Sequence, residues 1–261
     1  MSAIREPIVV AEGISKSYAQ VTALTSLSLR IQPGERVALA GPSGSGKTTL
    51  LYLLAGILQP DEGQLYIDNH SLAHLQPGRE LSKLVGIIQQ QYDLVPHLPV
   101  IHNVLAGRLG QWSLFRSLIS LVWPQDRPVA LSALAKLGIA DKAQERTSHL
   151  SGGEQQRVAI ARVMVQSPSV VLADEPVASL DPARAEEMLR LLTELATSPG
   201  KTLIASLHSP YLIHKYCSRV IGLRQGQIIF DLPASDVTEA VLDCLYNLNE
   251  YPDEELVPEV S

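Results

Sequence analysis

The chain has 261 residues, of which 46% are hydrophobic and 18% charged, and its formal net charge is −6. A chain of this length and composition can bury a sizeable core, as one large α/β domain or a domain with a subdomain, which argues against global disorder. The acidic balance argues against nucleic-acid binding, for which a basic excess is usual, so we expect no nucleic-acid partner.

The sequence contains no segment that we expect to cross a membrane. A spanning helix needs about 20 consecutive apolar residues, whereas the best candidate, Leu114 to Trp123, is short and interrupted by Arg116. Met1 to Val10 lack the apolar core of a signal peptide. Two cysteines, Cys217 and Cys244, are typical of a reducing compartment without a disulfide framework. We therefore expect any role at a membrane to be peripheral.

Short apolar runs alternate with helical patterns along the chain, which is typical of an α/β fold with a parallel sheet. The runs that predict buried strands are Arg36 to Ala40, Val170 to Ala173 and Thr202 to Leu207. A helix is predicted from Thr48 to Leu58, where Gln59-Pro60 stops it. A second helix is predicted after Asp181, with an apolar face made of Ala183, Met188, Leu191, Leu192 and Leu195.

Other regions predict different structure. From Asn103 to Arg146 the sequence lacks clear strands, so we place a helical subdomain at about residues 92–150, inserted in the α/β core. Ile221 to Asp231, with Gln225-Gly226 in the middle, predicts a hairpin. We predict one domain over residues 1–249, followed by an acidic, Pro-containing tail over residues 250–261 that we expect to be mobile.

The first motif that carries chemistry lies between the first of these strands and the helix after it. It reads Gly41-Pro42-Ser43-Gly44-Ser45-Gly46-Lys47-Thr48 and matches a phosphate-binding loop. Its glycines let backbone N–H groups turn towards phosphates, and the helix N-terminus adds its positive dipole end. Lys47 is predicted to reach the β- and γ-phosphates and Thr48 to coordinate Mg²⁺. We include Thr49 in the predicted ATP-binding set. The alternative interpretation is a flexible Gly/Ser-rich loop.

The second motif places two carboxylates at the end of a strand. Four apolar residues, Val170 to Ala173, are followed by Asp174 and Glu175. Ligands of open α/β sheets collect at the carboxyl ends of strands. Asp174 is predicted to hold Mg²⁺, directly or through water, and Glu175 to orient and deprotonate the attacking water. The alternative is a solvated acidic turn. Together, the two motifs indicate a P-loop NTPase.

The third motif selects a family. Leu150-Ser151-Gly152-Gly153-Glu154-Gln155-Gln156-Arg157 opens a helix predicted to reach about Gln166, with Ser151 as its N-cap. The two glycines allow backbone N–H groups to approach an anion closely. This string resembles the signature motif of ABC ATPases, and the resemblance extends from about Ile8 to Leu245. It implies a P-loop core with a parallel sheet, an antiparallel β subdomain and an inserted helical subdomain.

The resemblance also implies roles for four further residues. Tyr18 matches an aromatic that stacks on adenine, the alternative being a core tyrosine. Gln90 matches a glutamine that contacts Mg²⁺ and senses the membrane partner, although Gln89 stands where an aromatic is common. Asp181, in Ser179-Leu180-Asp181, matches the loop that crosses a dimer interface. His208 matches the histidine that contacts the γ-phosphate.

The mechanism implied by this resemblance is that of a transport ATPase. Two copies of the chain pair head to tail, and each ATP lies between the phosphate loop of one copy and the Ser151 region of the other. ATP closes the dimer and hydrolysis reopens it. The expected partners are two transmembrane permease subunits and an extracytoplasmic substrate-binding protein. The expected location is peripheral, on the cytoplasmic face of the inner membrane.

Finer resemblance points to phosphonate importers. The segments that carry it are Asn103 to Gly110, Phe115 to Leu118, Tyr216 to Gly226 and the ending near Leu242 to Tyr246. The chain departs from that group at Ser209-Pro210-Tyr211, at Leu232, where glycine is usual, and at Phe115, where tryptophan is usual. Phosphite stays open as a ligand. An amino-acid importer, an exporter ATPase and a non-transport ABC ATPase also stay open as functions, although the last would usually need a coiled coil, a second cassette or a basic face.

Overall fold

Ten strands in two sheets form the framework of the part of the chain that the computed structural model describes, which is residues 6–75, 78–122, 125–178, 180–196 and 201–246. The strands are β1 (Val9–Tyr18), β2 (Val21–Ile31), β3 (Arg36–Ala40), β4 (Glu62–Ile67), β5 (His70–Ser71), β6 (Val85–Ile88), β7 (Val170–Ala173), β8 (Thr202–Ser206), β9 (Arg219–Arg224) and β10 (Gln227–Pro233). The α-helices are α1 (Lys47–Leu54), α2 (Leu81–Leu84), α3 (Val100–Leu105), α4 (Leu114–Val122), α5 (Arg127–Lys136), α6 (Gly152–Gln166), α7 (Pro182–Ala196), α8 (Pro210–Tyr216) and α9 (Glu239–Tyr246). Short 3₁₀ helices cover Ala106–Gln111, Ala140–Lys142, Thr147–His149 and Ala234–Asp236.

The larger sheet has six strands in the order β10-β9-β3-β8-β7-β6. Strands β9, β3, β8, β7 and β6 run parallel, and β10 returns antiparallel to β9 as the predicted hairpin. Every residue of β7 and β8 is buried, as expected for central parallel strands covered on both faces. The smaller sheet is antiparallel, in the order β2-β1-β4-β5. The predicted fold class, a parallel-sheet α/β core with an antiparallel β region, is confirmed.

The core consists of two apolar clusters on the two faces of the parallel sheet. Alternate side chains of β3 divide between them, because successive residues of a strand point to opposite faces. Ala38 and Ala40 belong to the cluster formed with α6, α7 and the helices between β6 and β7. Val37 and Leu39 belong to the cluster formed with α1 and the antiparallel sheet. The parallel sheet is therefore held from both sides, which fixes the positions of its strand ends.

The helix after the phosphate loop ends earlier than predicted, at Leu54 instead of Leu58. Gly56 has a φ of 65°, and its N–H donates to Leu53 O (3.0 Å), while Ile57 N–H donates to Tyr52 O (3.0 Å). These two bonds form a Schellman motif, which ends a helix with glycine in the left-handed conformation. Gly56 was therefore the stop signal, and the later Gln59-Pro60 pair was not.

The predicted apolar face of α7 was partly wrong. The buried residues are Ala185, Met188, Leu189, Leu192 and Ala196. Their spacing of three and four residues forms one continuous helical stripe. Ala183 is exposed because it lies two residues before the stripe, on the opposite side of the helix. Leu191 and Leu195 are half-buried at the margins of the stripe.

The chain between β6 and β7 is helical, and α3 and α5 both pack on α6. The one β-type pairing there, in the part that the structure describes, is an isolated bridge between Pro99 and Arg146. The proposed limits 92–150 stay a prediction, and the predicted tail over residues 250–261 lies outside the described residues. Among the described helices, none combines the length and apolar character required to cross a bilayer.

Candidate nucleotide site

The phosphate loop turns between β3 and α1 through backbone conformations that require glycine. Gly41 has a φ of 148° and Gly46, the N-cap of α1, a φ of 103°. A Cβ atom on Gly41 would lie 2.1 Å from Leu223 O, and one on Gly46 would lie 2.6 Å from Ala23 O. Backbone therefore packs against backbone at both ends of the loop, so side chains other than hydrogen are excluded there.

Lys47 lies inside this loop with only 5% of its surface exposed. Its ammonium donates hydrogen bonds to Gly41 O (2.7 Å), Pro42 O (2.9 Å) and Ser45 Oγ (3.4 Å). Burial lowers the pKa of Lys47, and the nearby charges of Glu175 and Asp174 oppose that shift. A desolvated ammonium beside a helix N-terminus is a strong attractor for an anion such as a phosphate.

The ends of β7 and β8 lie beside the phosphate loop, which itself follows β3. Asp174, which follows β7, is buried, and its Oδ1 accepts hydrogen bonds from Thr48 Oγ1 (3.2 Å) and Ser206 Oγ (3.0 Å). Ser206 is the last residue of β8, and Thr48 belongs to α1. The structure thus brings the two predicted metal ligands, Thr48 and Asp174, within one hydrogen-bond length of each other.

The donor set at this point fits a hard divalent cation. A hydroxyl and a carboxylate oxygen are ligands that Mg²⁺ prefers, and Mg²⁺ usually binds through one or two carboxylates together with substrate phosphates and water. Among the described residues, no cluster of three or more His, Cys, Asp or Glu side chains forms an all-protein metal cage. A cation here would therefore need oxygens from the substrate as well.

Glu175 is held in an unusual backbone conformation, with a φ of 46°. A left-handed non-glycine residue costs roughly 1–3 kcal/mol and persists only where its surroundings impose it. Its N–H donates to Ser206 Oγ (2.5 Å), which supplies one such restraint. The result is that the carboxylates of Asp174 and Glu175 diverge: Asp174 faces Thr48, and Glu175 faces the partly open side of the site.

The Glu175 carboxylate lies between Gln90 and His208, the residues predicted to contact Mg²⁺ and the γ-phosphate. Gln90 Nε2 is 3.4 Å from its Oε2, and His208 Nε2 is 3.4 Å from its Oε1. The Glu175 side chain is 31% exposed, and both Gln90 and His208 are exposed. A carboxylate that reaches solvent between two polar side chains has the geometry required to hold and deprotonate a water molecule.

The loop after Gln90 is anchored to α6. Arg162 donates to Tyr92 O (2.9 Å) and Asp93 O (2.8 Å), and both of those residues have positive φ. Burial lowers the pKa of the Arg162 guanidinium, and the charge of Asp93 opposes that shift. The Asn103 amide also bonds to the backbone of Val95, at 2.7 Å and 3.0 Å. The loop after Gln90 is thus attached both to α6 and to α3.

Sequence reasoning assigned no site role to Tyr246. This residue ends α9, and its hydroxyl lies 3.3 Å from Gly41 N and 3.2 Å from His208 Nδ1. The tyrosine lies 205 residues further along the chain than Gly41. No local motif marks it, because only the three-dimensional return of α9 to the loop creates the contact. Ser206, which bridges Asp174 and Glu175, was missed for the same reason.

Helix α6, which was predicted to begin at an N-cap formed by Ser151, begins there. Ser151 caps α6 in a capping box, with Glu154 N donating to Ser151 Oγ (3.4 Å) and Ser151 N donating to Glu154 Oε2 (2.8 Å). The hydrogen bonds from Ser151 lower the pKa of Glu154. Ser151 and Gly152 are exposed, and an added Cβ on Gly152 or Gly153 would meet nothing within 4 Å. No hydrogen bond found among the described residues joins Ser151 to the phosphate loop of the same chain.

Two other predicted site residues lie at the surface. Tyr18 is 45% exposed at the end of β1, so the core-tyrosine alternative is wrong. Asp181 is exposed and accepts a hydrogen bond from Arg184 N at 3.1 Å, which caps the start of α7. Its neighbour Ser179 lies outside the described residues. Ser43, Gly44 and Thr49 complete the predicted loop, of which Ser43 and Gly44 are exposed.

Comparisons of the sequence and of the structure with known proteins indicate the same family. The model of the ABC transporter family matches residues 24–178. The phosphonates import ATP-binding protein PhnC of Pseudomonas putida is 47% identical over 236 residues, covering 90% of this chain and 88% of the relative. The protein of the same name from Pseudomonas entomophila is 44% identical over 243 residues, covering 92% of each.

The similar solved structures are also parts of ABC transporters. The dimeric post-hydrolysis state of the ATP-binding cassette MJ0796, bound to ADP and Pi, is similar with a TM-score of 0.76 and 30% identity, covering 87% of this chain and 98% of that one. CbiO1 from Clostridium perfringens, part of the ABC transporter complex cbiONQ, has a TM-score of 0.75 and 29% identity, covering 91% and 93%.

The bridge made by Ser206 predicts a stability effect. Ser206→Ala removes the acceptor of Glu175 N–H and one donor to the buried Asp174 carboxylate. We expect the free energy of unfolding to fall by about 1–3 kcal/mol, the usual cost of leaving a buried polar group without its partner. Urea denaturation measures it. Ser17→Ala, which removes an exposed hydroxyl 3.3 Å from Thr22 Oγ1, is the matched control. Equal losses in the two variants would contradict the bridging role.

Proposed function

The chain belongs to the ABC transporter family and is an ABC-type ATPase, and from this premise we propose that it energises the import of phosphonates. The observation that carries the catalytic part is the Glu175 carboxylate, which lies between Gln90 and His208 beside the phosphate loop. The substrate part rests on relatives named phosphonates import ATP-binding proteins, which are 44–47% identical over most of their length. Together these give an ATP-hydrolysing subunit of a phosphonate importer.

ATP and Mg²⁺ are assigned to the residues around the loop. The phosphates would bind the loop from Gly41 to Thr49, with Lys47 on the β- and γ-phosphates and the adenine against Tyr18. Thr48, Asp174 and Gln90 would hold Mg²⁺, which when bound neutralises charge on the β- and γ-phosphate oxygens. The support is the 3.2 Å approach of Thr48 to Asp174 and the buried ammonium in the loop. Tyr18 is exposed enough to offer a ring face to a ligand.

Hydrolysis would proceed by transfer of the γ-phosphoryl group to water. Glu175 accepts a proton from the water. The oxygen of that water bonds to the γ-phosphorus, and the bond from phosphorus to the leaving oxygen of ADP breaks. The products are ADP and inorganic phosphate. His208 and Gln90 hold the water and the γ-phosphate in line, while Lys47 and the N-terminus of α1 stabilise the negative charge of the transition state.

Two copies of the chain would complete each site. Ser151, Gly152 and Asp181 are exposed and have no described hydrogen bond to their own phosphate loop. An exposed helix N-terminus with two glycines is suited to an anion supplied by another molecule. The proposed partner is a second copy, facing head to tail, and the similar cassette MJ0796 is described as dimeric. The assembly would add two permease subunits and an extracytoplasmic binding protein, with this chain on the cytoplasmic face of the inner membrane.

Two parts of the resemblance to phosphonate importers, the segment around Leu109 and Phe115 and the segment Tyr216 to Gly226, differ in what they can report. Phe115 is 75% exposed and Leu109 is 48% exposed, so the segment around them, in the proposed insertion over residues 92–150, can contact a permease. Tyr216 to Gly226 includes β9, whose residues Val220, Ile221 and Leu223 are buried. That second segment reflects packing of the sheet, so the partner assignment depends on the first segment and on the relatives.

The catalytic role of Glu175 predicts a separation of binding from turnover. Glu175→Gln keeps the shape of the side chain but cannot take a proton, so turnover should fall at least about 100-fold, the usual size of a general-base effect. The affinity for MgATP should stay near that of the parent protein. Steady-state ATPase assays and nucleotide titration measure the two quantities, with Glu12→Gln on the surface of β1 as control. Turnover near that of the parent protein would remove Glu175 from this role.

The composite site predicts that Ser151 matters only between copies. In a Glu175→Gln background, Ser151→Arg should leave ATP binding to the monomer intact and abolish ATP-dependent dimerisation, because a bulky cation would occupy the space of the γ-phosphate. Size-exclusion chromatography with and without MgATP measures it. Ser235→Arg, at an exposed position outside the proposed interface, is the control. An unchanged dimer fraction in Ser151→Arg would refute the composite site.

The substrate proposal predicts ligand-specific stimulation. ATPase activity of the reconstituted complex of this chain, its permease and its binding protein should rise when the binding protein is loaded with a phosphonate. Phosphite is tested in parallel because it shares the phosphorus oxyanion. Amino acids and sugars should not stimulate. Stimulation by an amino acid or a sugar, with none by phosphonate or phosphite, would overturn the substrate and leave the transport ATPase in place.

A further inference from the structure

The last described helix brings a tyrosine hydroxyl into the catalytic site. Leu242 and Leu245 of α9 are buried in the core, with 3% and 2% of their surface exposed. Their packing fixes the register of the helix and so fixes the position of Tyr246, the residue that follows Leu245. The Tyr246 hydroxyl lies 3.3 Å from Gly41 N and 3.2 Å from His208 Nδ1. The contact is therefore imposed by core packing and not by a flexible surface side chain.

The chemistry of these groups allows the hydrogen bonds to run in one direction. The Gly41 N–H can only donate, so the Tyr246 oxygen accepts there. The hydroxyl proton is then available for His208 Nδ1, which accepts it only if that nitrogen carries no proton. A neutral imidazole with an unprotonated Nδ1 carries its proton on Nε2. That nitrogen faces the Glu175 carboxylate at 3.4 Å, and an ionised carboxylate can only accept.

The opposite tautomer keeps the hydrogen bond from Gly41 but loses the one between Nε2 and Glu175. With the proton on Nδ1, the tyrosine oxygen would face two N–H donors, and the Nε2 lone pair would face the carboxylate of Glu175. Burial also raises the pKa of Tyr246, with the hydrogen bond from Gly41 opposing that shift, so the hydroxyl keeps its proton. For a neutral ring, the relay from Gly41 through Tyr246 to His208 therefore favours the tautomer with the proton on Nε2.

We propose that Tyr246 is a positioning residue that fixes His208 in the tautomer with the proton on Nε2, directed towards Glu175 and the reacting phosphate. This inference rests on the proposed catalytic roles of His208 and Glu175, and it does not depend on the transported substrate. The tautomer and ring orientation of a histidine are set by the hydrogen bond that its other nitrogen makes. An N–H donor held there is what a developing negative charge on the γ-phosphate requires.

The test is nitrogen NMR of the histidine rings in the isolated full chain, which reports directly which ring nitrogen carries the proton. The His208 signal is assigned by its loss in His208→Gln. Tyr246→Phe removes the hydroxyl and keeps the aromatic ring, whose centroid lies 6.3 Å from that of His208. We expect one Nε2–H tautomer in the parent protein and a mixture of both tautomers in Tyr246→Phe. Tyr66→Phe, which removes a hydroxyl bonded to Gln64 on the antiparallel sheet, should leave the His208 signal unchanged.

Basal ATPase kinetics of the same variants give the second readout. Turnover in Tyr246→Phe should fall about threefold to tenfold, the effect of losing one net hydrogen bond in the transition state. The KM for ATP should change much less, because the hydroxyl acts on the reacting end of the site. An unchanged His208 tautomer in Tyr246→Phe would overturn the proposal, even if KM rises, since that pattern would assign the hydroxyl to Gly41 alone. The tautomer and basal ATPase measurements contain no permease or binding protein. A failure of phosphonate to stimulate the reconstituted complex would therefore not change their results.

Discussion

Three neighbouring parallel strands, β3, β8 and β7, determine where the chemistry lies. Their carboxyl ends face the same edge of the sheet, so the chain leaves β3 into the phosphate loop, β7 into Asp174 and Glu175, and β8 into the segment that carries His208. Ser206, at the end of the middle strand, touches both acidic residues, at 3.0 Å for Asp174 and 2.5 Å for Glu175 N. The burial of these strands on both faces is therefore what holds the site in register. A slip of one residue in β8 would point Ser206 to the other face of the sheet.

Helix α6 makes hydrogen bonds to several segments around the site. Gln156 donates to Pro176 O at 2.6 Å, directly after Asp174 and Glu175. About two and three turns further along, Arg162 holds the loop after Gln90, and Gln166 donates to Ser82 O and Val85 O at 2.8 Å and 2.6 Å. Near its start, Arg157 bonds to Leu137 O (2.8 Å) in the insertion. One helix thus contacts the end of β7, the loop after Gln90 and the helical region between β6 and β7.

The sequence was sufficient wherever a structural signal is local. The phosphate loop, the acidic strand end and the capped helix at Ser151 are each specified by adjacent residues, and the structure forms them as predicted. Gly56 was also a local signal, although it was overlooked in favour of Gln59-Pro60. Tyr246 and Ser206 are different, because neither belongs to a motif. Their roles arise from partners that are far away in sequence, at separations of 205 and 32 residues, and only the packed strands and helices bring them together.

Burial also decides which parts of a sequence can carry information about a partner. In the segment after α3, Trp112 is buried, its indole N–H donates to Asp126 Oδ2 (3.3 Å), and the Arg116 guanidinium lies 5.3 Å from its ring centroid. Arg116 also bonds to Asp126 at 3.0 Å. These contacts fix the start of α4 and leave Phe115 exposed between two anchored residues. A buried side chain is constrained by the packing around it, whereas the exposed Phe115 is constrained much less. Under the proposed function, the residue that meets a permease would be an exposed one such as Phe115 and not a buried residue of β9.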